Sequence, residues 1–150
     1  MSAIVDIRPV TAADFDQWLP LWQGYQAFYK TTIAAEVTAV TWARFLNHQE
    51  PMGAALAWEQ GQAVGLVHHI LHRSCWTVGN YCYLQDLFVA PTARGKHYGR
   101  ALIEYVYAYA AKEHCNRVHW LTHESNTHAM QLYDRLAQKP GFIQYRHLLP

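Results

Sequence analysis

Apolar residues recur along this chain at two spacings, and each change of spacing marks an element. Ala3–Arg8 (AIVDIR) reads as a short strand stopped by Pro9. Phe15, Trp18, Leu19, Trp22, Tyr25 and Tyr29 then fall three or four residues apart, as on one face of a long helix. Thr11 is placed to cap that helix, and Asp14 to favour the positive end of its dipole. Trp42, Phe45 and Leu46 mark a second, shorter helix. Met52–Glu59 and Ala63–His72 are extended and flank the turn Glu59-Gln60-Gly61-Gln62, which predicts a hairpin. An irregular stretch, Arg73–Asn80, leads into another strand, Tyr81–Ala90, ended by Pro91. Tyr98–His114 places Ala101, Leu102, Tyr105 and Tyr109 at helical spacing, and Arg117–Thr122 is a strand. Asn126–Gln138 is a helix whose buried face would be Ala129, Leu132, Tyr133, Leu136 and Ala137. Pro140-Gly141 ends it, and Phe142–Leu149, with Phe142, Ile143, Tyr145 and Leu148, closes the chain as a strand. The order β-α-α-β-β-β-α-β-α-β is mixed α/β, with strand–helix crossovers in the second half. Neither a repeat nor a Pro/Gly-rich linker divides the chain, so residues 1–150 read as a single domain.

Composition narrows the class. Hydrophobic residues at 51% and charged residues at 15% describe a globular chain rather than a disordered one. The formal charge of +1, with no run of Lys and Arg, argues against a nucleic-acid partner. Apolar stretches fall well short of the roughly 18–20 residues of a membrane span, and the N-terminus lacks a basic-then-apolar leader. The expectation is a cytoplasmic protein with no membrane association. Cys75, Cys82 and Cys115 are odd in number and share no CxxC spacing, as reduced thiols would. His68, His69 and His72 cluster, and an extended strand puts His68 and His72 on one face. Cys or acidic partners at zinc-site spacing are missing, so no metal is expected.

Chemistry concentrates in Tyr81–Leu102 (YCYLQDLFVAPTARGKHYGRAL), where a strand ends at a proline and a short loop delivers Arg94-Gly95-Lys96-His97-Tyr98-Gly99 into a helix. Unpaired backbone N–H groups at a helix start, together with the dipole, make an anion site. Gly95 and Gly99 let the backbone come close to a phosphate, and Arg94 and Lys96 add charge. An ordinary loop-to-helix turn with two glycines would look the same on this hexapeptide alone.

Arg94–Gly99 resembles the coenzyme A pyrophosphate loop of the GNAT superfamily of N-acetyltransferases, Gln/Arg-x-x-Gly-x-Gly/Ala. Arg94 and Gly99 match its ends, and His97 stands where the middle glycine is usual. Upstream, Tyr83–Val89 resembles the family's central strand, whose splay lets backbone groups pair with the pantetheine arm. The match implies main-chain contacts from Leu87 and Val89, with Phe88 between them and a nearby amide polarising the thioester carbonyl. Downstream, Trp120–Asn126 followed by Ala129, Leu132 and Tyr133 resembles the second cofactor segment, in which the asparagine contacts the cofactor and the tyrosine faces the sulfur. Two helical turns, roughly 10–11 Å, separate Asn126 from Tyr133 on one helix face. YLQDLFVAP, HESN and QLYDRLA look most like the spermidine/spermine and yeast histone/polyamine acetyltransferases, and QAFYKTTI resembles that group's acceptor-side segment.

The resemblance implies a GNAT-like mixed, mostly antiparallel twisted sheet flanked by helices, with a splayed central strand binding acetyl-CoA. It also implies direct attack of a primary amine on the thioester within a ternary complex. Cofactor-binding candidates are Leu87, Phe88, Val89, Arg94, Gly95, Lys96, His97, Tyr98, Gly99 and Asn126. Tyr133 is the candidate proton donor to the sulfur, and Asp86 a candidate base, with Glu124 and His68 as others. Gln85 stands where the polyamine enzymes carry a glutamate and cannot accept a proton. Tyr25, Phe28, Tyr29 and Gln85 are candidates for the acceptor side, where ring faces suit a cation. The acceptor is left as a polyamine, a small amine, an aminoglycoside or a lysine-like side chain. Pairing through sheet edges, as in other small enzymes of this kind, implies a homodimer. The competing reading is an acyl-CoA sensor that binds without catalysing.

Overall fold

The computed structural model describes residues 5–150, so Ala3 and Ile4, the start of the expected first strand, lie outside the described residues. A first compact unit ends at Trp120, and a second runs from Leu121 to Pro150.

In the first unit, strands β1 (Asp6–Pro9), β2 (Met52–Glu59), β3 (Gln62–His72), β4 (Tyr81–Val89) and β5 (Arg117–His119) lie in the order 1-2-3-4-5. The first four are antiparallel neighbours, and β5 is parallel to β4. A parallel neighbour needs a crossover, which α3 (Tyr98–Lys112) supplies. β1 stops at Pro9 and includes it as its last residue, which an edge strand tolerates because its outer side needs no donor. The β2–β3 hairpin turns through Gln60 and Gly61 at φ +51° and +77°, a pair of left-handed residues that suits a two-residue turn.

Helices α1 (Phe15–Phe28) and α2 (Ala35–Phe45) cover one face of the sheet and α3 the other. His68 and His69 display the two sides: the first meets Trp18 of α1, and the second packs at a tilt on Tyr109 of α3, ring centres 4.3 Å apart. The Thr11 cap forms as a reciprocal box, Ala13 N–H donating to Thr11 Oγ1 and Thr11 N–H to the Asp14 carboxylate. A turn of 3₁₀ helix at Ala12–Asp14 comes between that cap and α1. The expected α1 face is the core: Trp18 and Trp22 are buried with Leu21, and Trp18 packs on Trp42 at 4.8 Å and edge-on to Phe45 at 6.0 Å. Burying rings of this size contributes about 1.5–3 kcal/mol each. On α3 the buried set is Tyr98, Leu102, Ile103, Val106 and Ala110; Leu102 belongs to the expected face, whose Ala101, Tyr105 and Tyr109 are half-buried beside it.

The second unit holds α4 (Thr127–Leu136). Ala129, Leu132, Tyr133 and Leu136 are half-buried and Ala137 is exposed, so the expected buried face is only partly covered. The closing strand expected at Phe142–Leu149 is not formed. Residues 137–150 have no helix or strand, and Phe142, Ile143, Tyr145 and Leu148 are exposed. Alternation makes a strand only where a neighbour takes its N–H and C=O groups, and none of the five strands pairs with this segment.

Candidate active site

The site begins with the irregular course of β4. Against β3 its register jumps, His68 facing Asp86 while His69 faces Leu84, so Gln85 is an extra residue in a β-bulge. Gln85 is exposed and Asp86 is buried. On the other side, the ladder with β5 covers only Tyr81, Tyr83 and Cys82 between them. Among the described residues that side of β4 has no strand partner from Leu84 onward, which leaves an edge on which an extended ligand arm can add as a strand would. Leu87, Phe88 and Val89 lie on this stretch and are half-buried. The Val89 carbonyl already accepts from Arg94 Nε at 3.2 Å, and the Arg94 guanidinium lies 5.9 Å from the Phe88 ring.

The bulge turns Asp86 toward α1. Its Oδ2 lies 2.9 Å from His68 Nδ1, and Trp18 Nε1 donates to His68 Nε2 at 3.0 Å. Tyr25 lies close enough to the same carboxylate to feel its charge. Burial raises the Tyr25 hydroxyl far above the ordinary tyrosine value, and the Asp86 charge adds to the rise. Tyr29 and Tyr83 are raised for the same two reasons, in the same order. Asp86 is thus a buried carboxylate ringed by tyrosines. Tyr25 stacks on Trp22 at 5.0 Å and meets Tyr29 at 4.8 Å, and exposed Phe28 meets Tyr29 edge-on at 5.0 Å. The Trp22 indole nitrogen, buried in this group, has no partner among the described residues. Of the acceptor-side candidates, Tyr25 and Tyr29 come together with Asp86, and Gln85 does not.

After Pro91–Ala93, a short 3₁₀ turn, the loop enters α3 through two left-handed residues, Gly95 at φ +80° and His97 at φ +68°. A Cβ on Gly95 would meet nothing within 4 Å, so conformation and not space calls for glycine. His97 pays the side-chain penalty of that conformation, which explains why glycine suits its position. The backbone N–H groups of Gly95, Lys96, His97, Tyr98, Gly99 and Arg100 have no acceptor among the described residues, and α3 begins its ladder with Ala101 N–H on His97. These unpaired amides at a helix start fit a diphosphate. Lys96 is engaged elsewhere, with Nζ 3.0 Å from the Glu59 carboxylate, to which the Tyr98 hydroxyl also donates at 3.1 Å. These two hydrogen bonds hold the Glu59 carboxyl below the usual carboxylate range. Lys96 therefore braces the loop against the hairpin before any ligand arrives.

In the second unit Asn126 precedes α4, its side-chain amide donating to Thr122 Oγ1 at 3.1 Å, and Tyr133 lies two turns along the helix. Glu124 is exposed. Among the described residues no three His, Cys, Asp or Glu side chains are grouped to hold a metal ion. Sequence reasoning missed Tyr83 and Trp18 as parts of the site. Their pattern signal was that of core residues, and only the bulge and the α1 packing bring them to Asp86.

Known proteins share this family and fold. The Acetyltransferase (GNAT) family matches residues 13–137, a span that includes β2–β4, the loop and α4. The D-amino-acid N-acetyltransferase HPA3 of Saccharomyces cerevisiae is 36% identical over 142 residues, covering 93% of this chain and 88% of that protein. Two solved structures share the fold. The aminoglycoside acetyltransferase AAC(6')-Iy, in complex with a bisubstrate analogue, superposes with a TM-score of 0.85 at 15% identity, covering 99% of this chain and 100% of its own. The ribosomal-protein-alanine N-acetyltransferase of Brucella melitensis biovar Abortus 2308 gives 0.79 at 19% identity, covering 97% and 100%. A bulged and splayed β4, a glycine turn into α3 and a family match over most of the length carry one conclusion: the chain belongs to the acetyltransferase (GNAT) family and is an N-acetyltransferase.

Proposed function

We propose that this enzyme takes the acetyl group of acetyl-CoA and places it on the primary amine of a small molecule, by direct attack in a ternary complex. The observation that carries this reading is the double character of β4. Among the described residues its main chain is open on one side beyond Tyr83, and the same stretch carries the buried carboxylate of Asp86, whose charge is felt by Tyr25, Tyr29 and Tyr83.

Acetyl-CoA supplies the acetyl group as a thioester. Leu87, Phe88 and Val89 line its arm, the amides of residues 95–100 take its diphosphate, Arg94 adds charge beside them, and Asn126 is a further contact. Lys96, His97, Tyr98 and Gly99 set the shape of that loop. Asp86 attracts the acceptor ammonium and receives the proton that must leave before nitrogen can attack. Tyr25, Tyr29 and Phe28 surround the cation with ring faces, and Gln85 lies at the exposed side of the bulge. Tyr133 holds the proton that the released sulfur requires.

A free amino acid is the first acceptor to test, because the yeast relative carries the name of a D-amino-acid N-acetyltransferase. A polyamine is the second, on the resemblance of YLQDLFVAP and HESN to the polyamine group. No helix among the described residues is long and apolar enough to cross a membrane, and Cys75, Cys82 and Cys115 are free thiols. A cytoplasmic enzyme of one domain, paired as a homodimer, is the setting proposed.

The test is release of free thiol from acetyl-CoA across D- and L-amino acids, a diamine, spermidine, an aminoglycoside and a lysine peptide. Amine-dependent release is expected for at least one small amine. Binding of acetyl-CoA by calorimetry without release by any amine would make the protein a sensor, and no binding at millimolar ligand would remove the reading altogether.

A further inference from the structure

The three side chains Trp18, His68 and Asp86 form a hydrogen-bonded line from the core to the carboxylate, and nothing above uses its inner two members. An indole nitrogen can only donate. Because Trp18 Nε1 points at His68 Nε2 at 3.0 Å, Nε2 must be the bare nitrogen, and the imidazole proton sits on Nδ1, 2.9 Å from Asp86 Oδ2. Trp18 is fully buried, and His68 is 3% and Asp86 8% exposed, so water does not compete for these bonds. The ring is also held by its neighbours, Phe45 at 4.6 Å and Trp22 edge-on at 4.8 Å.

We propose that His68 is a positioning residue for the acetyl transfer: the Trp18 indole fixes its tautomer, and its Nδ1–H holds Asp86 in one rotamer for the acceptor amine. The inference rests on the role given to Asp86 above. It also removes His68 from the candidate bases. A proton brought to Nε2 would face the indole N–H with no acceptor between two donors, so the imidazole passes no proton onward. Holding the carboxylate by one oxygen leaves its other lone pairs for the ammonium. The bulge at Gln85 is what allows this, since it brings Asp86 opposite His68 while the next pair in the ladder is His69 with Leu84.

Nitrogen NMR of the imidazoles in the intact enzyme at neutral pH reads the tautomer directly. The expected result is a His68 signal with Nδ1 protonated and Nε2 bare. A wild-type signal with the proton on Nε2 overturns the proposal without any variant having to fold. In kinetics, His68→Asn retains an N–H donor near the Nδ1 position, whereas His68→Leu does not. Losing a hydrogen bond to a charged group corresponds to about 10- to 100-fold in kcat/KM for the amine, which is expected for His68→Leu and largely rescued in His68→Asn. KM for acetyl-CoA should stay unchanged in both. Equal activity of the two variants overturns the positioning role. Asp86→Asn separates the layers: if it impairs amine turnover while His68→Leu does not, only this inference falls. If Asp86→Asn is itself silent, the assignment of Asp86 falls and takes this inference with it.

Discussion

Acidification acts on this fold through His69, and the size of the effect can be worked from its surroundings. Burial, with the adjacent His68 ring adding to it, pushes the His69 imidazole down to about 4. In an unfolded chain the same ring titrates at about 6.5. The ring is packed on Tyr109 at 4.3 Å, it lies over Gly53, and its Nδ1 has no partner among the described residues. As pH falls, the unfolded chain takes up the proton first. The stability due to neutral His69 is therefore complete above about pH 6.5 and is lost as pH falls from there through about 4. A gap of about 2.5 pH units at ~1.4 kcal/mol each makes the whole loss about 3 kcal/mol, of which about 2 kcal/mol has gone by pH 5. Urea unfolding of the wild type and of His69→Leu, at pH 8 and pH 5, measures it. Leu keeps the site apolar and cannot titrate, and protonation of other groups is common to both proteins and cancels in the difference. The wild type should lose about 2 kcal/mol more than the variant between the two pH values, at equal m. Equal losses would refute the linkage to His69.

The cofactor loop offers a pair of opposite substitutions. Gly95→Ala should cost about 1 kcal/mol of stability and weaken acetyl-CoA binding by calorimetry, because a side chain disfavours φ +80° even in open space. His97→Gly should gain about 0.5 kcal/mol in denaturant unfolding, the relief of its left-handed φ being partly offset by a freer unfolded chain. Gly79→Ala would drive a Cβ against Asn116 Oδ1 and to 2.6 Å from the His114 carbonyl, and a melting temperature lower by about 5 °C is expected. Tyr133→Phe should lower kcat while leaving acetyl-CoA binding unchanged, and an unaltered kcat would withdraw its assignment as the proton donor.

Much of the fold was legible because the relevant physics is local. The Thr11–Asp14 box, the Gln60-Gly61 turn and the three- and four-residue spacing on α1 depend on neighbours a few positions apart, and each forms where expected. The glycine turn into α3 is of the same kind, with its conformation visible in Gly95 and in the substitution of His97 for glycine. The aromatic face of α1 was legible too, since Trp22, Tyr25 and Tyr29 fall three and four residues apart whatever that face meets.

What a period of two or of 3.6 could not convey was a break in the period or a partner far along the chain. The bulge at Gln85 changes which β3 residue faces each β4 residue, and nothing in YLQDLFV announces it. Trp18 and His68 are 50 residues apart and His68 and Asp86 are 18 apart, so their line exists only once α1 packs on the sheet. That Lys96 meets Glu59 is decided by the hairpin, 37 residues away along the chain. Phe142–Leu149 alternates as a strand should and forms none, because pattern describes what a segment can bury and only a paired neighbour can satisfy its backbone. Sequence alone thus determined the α1 face and the turns, whereas tertiary packing decided where Asp86 lies and what holds it there.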